Sequence, residues 1–148
     1  MEQVAAKTEY FGKLTLEILN DKRVPTTSLS ELDLSHQKIR QVECLWIGFE
    51  HIRTLKFDNN LIASIDCFKG LLGLKILCLN HNKIANLITL CTPCEGKVDE
   101  SPFLMHLEEL YLSGNLITRI FDLYLFRFPG LKILDLKNNK ISKVISHV

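Results

Sequence analysis

A fourteen-residue template recurs five times along this chain, and a period that short decides the architecture before any local reading does. The copies occupy residues 29–42, 52–65, 74–87, 107–120 and 131–144. Each has apolar residues at positions 1, 4, 6, 11 and 14 and an amide at position 9; the third reads LKILCLNHNKIANL and the fifth LKILDLKNNKISKV. The starts lie 23, 22, 33 and 24 residues apart. One copy cannot cover its own apolar face, so the copies must stack and bury one another.

Each repeated position has a physical duty. Positions 4 and 6 (Leu32/Leu34, Leu55/Phe57, Leu77/Leu79, Leu110/Leu112 and Leu134/Leu136) alternate along a short strand and point to one side. Stacked copies therefore predict a parallel sheet with a continuous apolar inner face. Position 9 holds Gln37, Asn60, Asn82, Asn115 and Asn139, an amide ladder placed to bond the backbone groups that the bend after each strand would strand. The residues at positions 11 and 14 fold beneath the sheet, and the returns close the core from the convex side. The expected fold class is an α/β solenoid with a parallel concave sheet and short convex helical or irregular returns.

Residues 1–28 read as an N-terminal segment with a short capping helix from near Thr15, ended by Pro25; the alternation Leu14, Leu16, Ile18 also permits a strand. Residues 29–148 carry the five repeats. The 33-residue step contains an insert near 91–102, CTPCEGKVDESP, whose Pro and Gly predict an exposed loop of tolerated length. Only four residues follow Val144, so the last rung (Leu134, Leu136, Ile141) is expected to be open. It would then pack on further repeats or on another chain, which suggests a slice of a longer protein.

These repeats resemble the leucine-rich-repeat superfamily, in its class of repeats of about 22 residues with short convex returns. That class includes a phosphatase-1 regulatory subunit and an axonemal dynein light chain. The resemblance extends over most of the chain, through FGKLTLEIL, LSELDLSHQKIRQV, LKILCLNHNKI and the interrupted step before LEELYLSGNLI. It implies a non-catalytic scaffold that binds a protein partner, in a ciliary or cytoskeletal setting. Regulation of a phosphatase-1 type enzyme and a purely structural solenoid segment are the alternatives.

Composition narrows the function further. A net charge of +1 over 148 residues gives no broad basic field, so nucleic acid is not an expected partner. No run approaches the roughly 18 apolar residues that would span a bilayer, and residues 1–10 are polar. Five scattered cysteines, with Cys67 and Cys78 inside repeats, fit a reducing compartment, so the expectation is cytoplasmic. Cys91 and Cys94 form a CxxC, but a zinc site needs four ligands and no second pair follows. His81 and His106 could complete only a composite site, and a redox role needs the pair at a helix N-terminus. Coincidence is the preferred reading. No metal, cofactor, nucleophile–base pair or phosphate-cradling glycine motif is expected, and so no enzyme.

The remaining surface is the concave face. Its central lane, position 5, reads Asp33, Lys56, Cys78, Tyr111, Asp135, and position 3 adds Ile76 and Glu109. A small apolar and aromatic centre with a charged rim suits a protein interface. Asp33, Lys56, Ile76, Cys78, Glu109, Tyr111 and Asp135 are the predicted contact residues for a protein partner whose identity the sequence does not give.

Overall fold

The structure is a computed structural model that describes residues 13–14, 29–42, 49–68, 71–87, 104–121 and 128–145. Among the described residues, nine short strands and one 3-10 turn follow one another: β1 (Lys13–Leu14), β2 (Glu31–Asp33), β3 (Gln41–Val42), β4 (Thr54–Lys56), η1 (Asp66–Phe68), β5 (Ile76–Cys78), β6 (Glu109–Tyr111), β7 (Arg119–Phe121), β8 (Ile133–Asp135) and β9 (Lys143–Ile145). β2, β4, β5, β6 and β8 make one parallel sheet in that order, one strand from each repeat. The register keeps template positions together, with Leu32, Leu55, Leu77, Leu110 and Leu134 paired along one row.

Strand alternation decides which side chains go inside. Leu55, Leu77, Leu79, Leu107, Leu112 and Phe57 are fully buried, while positions 3 and 5 of the same strands are half-buried or exposed. A second set of buried residues stands three places before position 1: Phe49, Leu71, Leu104 and Phe128. There the chain turns tightly, and the position-1 amides donate back to those residues' carbonyls (Ile52 to Phe49 at 3.1 Å, Leu107 to Leu104 at 3.0 Å, Leu131 to Phe128 at 3.0 Å). On the return side Phe68 meets Phe57 with ring centroids 5.4 Å apart and planes tilted by 57°, a favourable aromatic contact.

The described parts of the returns are not α-helical. One holds the 3-10 turn η1; elsewhere short convex strands pair in parallel, β1 with β3 and β7 with β9. Lys13–Leu14 lies against positions 13–14 of the first repeat, so β1 occupies the place of a return strand one turn ahead. The expected capping helix beginning at Thr15 and the insert with Cys91 and Cys94 lie outside the described residues.

The asparagine ladder ties the rungs together. Asn82 Oδ1 accepts from the Ile62 amide at 3.0 Å, and its Nδ2 donates to the Phe57 carbonyl at 2.9 Å and the Leu79 carbonyl at 3.1 Å. Asn60, Asn115 and Asn139 repeat that pattern, each reaching the preceding rung. Gln37 differs: its Nε2 donates to the Ser35 carbonyl, a bond within its own turn. Position 8, next to the ladder, takes positive φ in every rung (His36, Asn59, His81, Gly114 and Asn138), the left-handed bend that His, Asn and Gly tolerate best.

The two ends of the sheet differ in cover. Leu32, Leu34 and Ile39 of the first rung are buried, whereas Leu134, Leu136 and Ile141 of the last are half-buried and Ile133 and Val144 exposed. Removing an amide should therefore cost more in the middle than at the last rung. Asn82→Ala leaves buried backbone groups unpaired and is expected to destabilise by about 1–3 kcal/mol, and Asn139→Ala by less, as read by urea unfolding. Equal losses would show that the ladder is not what couples the rungs.

Candidate functional site: the concave sheet face

Register puts the seven predicted contact residues on one surface. Asp33, Lys56, Cys78, Tyr111 and Asp135 form one row of strand partners; Thr54, Ile76, Glu109 and Ile133 belong to the parallel row that begins at Glu31. Neighbouring strands lie about 4.8 Å apart and positions 3 and 5 of one strand about 6.6 Å apart, so Ile76, Cys78, Glu109 and Tyr111 form a compact centre. All four are half-buried.

Hydrogen bonds and charge fix their states. Lys56 Nζ pairs with Glu31 Oε1, which holds the lysine above its ordinary pKa. Both side chains are partly exposed, so this bond orients them more than it stabilises the fold. The Tyr111 hydroxyl donates to Glu109 Oε2 at 2.7 Å, and that bond raises the phenol's pKa. Burial, then the charge of Asp58, pushes the Cys78 thiol up to about 11. Cys78 is thus a neutral, weakly polar contact at the centre and a poor nucleophile.

Two further lanes of the repeat are bonded from rung to rung. Position 7 carries a second ladder: Asp58 Oδ1 accepts from the Asn80 amide at 2.7 Å, and Asn80 Oδ1 from the Ser113 amide at 2.9 Å. These side chains are fastened to the next rung and so have fixed positions on the concave face. Position 2 carries Arg53, Lys75, Glu108 and Lys132 along the sheet edge, where Glu108 bridges Lys75 at 3.0 Å and Lys132 at 2.6 Å. Those two hydrogen bonds, Lys132 first, hold the Glu108 carboxyl down at about 2.

Over positions 3, 5 and 7 the face has five carboxylates (Glu31, Asp33, Asp58, Glu109, Asp135) and two lysines (Lys56, Lys137). Among the described residues no group of three or more His, Cys, Asp or Glu is arranged to hold a metal ion. The described residues also contain no helix long and apolar enough to cross a membrane.

The fold is that of a leucine-rich-repeat solenoid, and part of the chain matches that family directly. The family described as Leucine Rich repeats (2 copies) matches residues 106–147, which contain the fourth and fifth rungs. Human lumican is 30% identical over 119 residues, covering 78% of this chain and 31% of lumican. The human U2 small nuclear ribonucleoprotein A' is 26% identical over 152 residues, covering 88% of this chain and 60% of that protein. The crystal structure of internalin C2 from Listeria monocytogenes superposes with a TM-score of 0.59 at 25% identity, covering 82% of this chain and 53% of that one. The chain thus spans between about a third and three fifths of the length of these curated relatives.

Two outcomes test the electrostatics. At pH 8 Cys78 should react with iodoacetamide roughly 100-fold more slowly than a thiol of pKa 9, because thiolate is that much scarcer. Peptide mapping would read it, and labelling at the rate of free cysteine would contradict the assignment. Glu108 has a lowered folded pKa, so its contribution to stability is present above about 4.5 and is lost as pH falls towards 2. Carboxyl NMR should find Glu108 ionised down to about pH 2, and Lys132→Ala should move that titration upward.

Proposed function

We propose that this chain is a non-catalytic binding module whose concave face holds a protein partner. Leucine-rich-repeat proteins generally mediate protein–protein interaction, and the face described above supports that use here. The observation that carries the reading is the Ile76–Cys78–Tyr111 centre, mounted on a ladder fixed rung by rung and bordered by carboxylates. A partner would meet a preorganised surface and lose little entropy in ordering it.

Charge supports a partner segment with lysine or arginine beside its apolar contacts. Carboxylates outnumber lysines on the concave face, while positions 10–13 on the opposite side carry Lys38, Arg40, Lys83, Arg119, Lys140 and Lys143 and no acid. Such segregation steers a cationic segment towards the concave side and away from the other.

The cellular setting belongs to the same proposal. The repeat order, with its interrupted third step, resembles the later repeats of leucine-rich-repeat-containing protein 9, which supports a place within a longer protein. Resemblance to axonemal members supports a cytoplasmic, ciliary or cytoskeletal location. The U2 relative is by name part of a ribonucleoprotein, consistent with a repeat chain working inside an assembly.

Partner capture tests the reading. Tyr111→Ala should weaken capture by about tenfold, as for an aromatic contact near the middle of an interface, with little change in melting temperature. Asp135→Lys should weaken it further at low salt than at high salt. Capture that survives both changes would move the interface off this face, and a chain that captures nothing would be a structural segment.

A further inference from the structure

The position-2 lane lies along the sheet edge, away from the concave centre, and forms a site of its own. Arg53, Gly73, Lys75, His106 and Glu108, from three successive rungs, line an open cleft of about 220 Å³. The Arg53 guanidinium is held in place by its own neighbourhood: Nη1 donates to the carbonyls of Glu50 at 2.8 Å and Ile52 at 3.1 Å. Both bonds use Nη1, so Nε and Nη2 keep three N–H donors that bond nothing else among the described residues.

Gly73 makes that position possible. A Cβ on residue 73 would clash with Arg53 Nη1 and stand 3.0 Å from the Glu50 carbonyl oxygen. Any side chain there would displace the guanidinium. In the same lining, Glu108 is bonded by Lys132 at 2.6 Å and by Lys75 at 3.0 Å, so one carboxylate is shared by two partly exposed lysines. Within the lining, Arg53 and Lys75 against Glu108 leave a surplus of one positive charge, and Lys132 pairs that carboxylate from outside. Next in sequence to Gly73 and His106 stand Leu72 and Met105, exposed at 64% and 46%.

We propose that this cleft binds a phosphoryl group. A planar arginine fork, an ammonium and an imidazole on neighbouring rungs match an anion with three acceptor oxygens better than a two-oxygen carboxylate. Lys132 keeps Glu108 paired while Lys75 turns to the ligand. The apolar pair beside the cleft suits a phosphorylated side chain of a partner with an apolar neighbour. Free phosphate would use the charged groups alone.

The full 148-residue chain, labelled with 15N at arginine and histidine, is titrated by NMR with inorganic phosphate, with acetate, and with chloride at matched ionic strength. The Arg53 Nε–H and His106 ring signals should move saturably with phosphate, with a Kd on the order of 1 mM. Gly73→Ala, which keeps every charge but displaces the guanidinium, should weaken phosphate at least ~5-fold, and so should Arg53→Met. Melting temperatures establish that each variant is folded; if Gly73→Ala is not, Arg53→Met decides. Shifts that follow ionic strength in chloride alike, or phosphate binding unchanged in the folded variants, would overturn the proposal. Acetate binding as tightly as phosphate would overturn the phosphoryl assignment. A phosphoserine–leucine peptide that binds more tightly than inorganic phosphate identifies a partner side chain as the source, and equal binding identifies the free ion.

Discussion

Beside the backbone pairing of adjacent rungs, an amide side chain ties each rung from the second onward to the one before it. Asn60, Asn82 and Asn115 are buried, and each satisfies carbonyls from two rungs and an amide of the preceding rung. Strands of three residues form too few ladder bonds to hold a sheet by themselves. A buried backbone group without a partner costs about 1–3 kcal/mol, so the amide is what makes a bend at every strand end tolerable. The leucines supply the burial, but the asparagines set the distance and register at which it happens.

That fastening determines what the surfaces can do. With the rungs in register, positions 3 and 5 become rows of side chains at fixed spacing, and Asp58 and Asn80 at position 7 are held by cross-rung bonds. The concave face is therefore a rigid surface in which Tyr111, bonded to Glu109, has a defined direction. Burial first, and the charge of Asp58 after it, keeps Cys78 protonated, which favours contact over reaction. The same stacking lines up position 2 into an edge of alternating charge, where Lys75 and Lys132 share one carboxylate in the cleft that Arg53 also lines. Two surfaces of opposite electrical character arise from one repeat.

Much of this was legible in the residues. The template located all five sheet strands, the inward pairs such as Leu77/Leu79, and the asparagines. It passed over Phe49, Leu104 and Phe128, which recur three places before position 1 but fall in returns of unequal length, where a fixed template loses alignment. The returns read as helical or irregular, and their described parts hold a 3-10 turn, convex strand pairs and irregular backbone. Short apolar stretches do not distinguish these by periodicity, and pairing with the adjacent return decides. The seven concave residues do share one face, because strand alternation fixes a side chain's direction once the register is known.

The sequence by itself determined which residue occupies which lane, since a strict repeat gives every residue a place relative to the core. The tertiary structure decided which lanes act together. Glu31 meets Lys56, Glu108 joins Lys75 to Lys132, and Arg53 lies over Gly73, each across a rung boundary. Repeat position says that such residues are neighbours in adjacent turns, but a bond needs their side-chain ends to meet. That depends on the left-handed bends at position 8 and on the spacing that the asparagines impose, neither of which a periodicity contains.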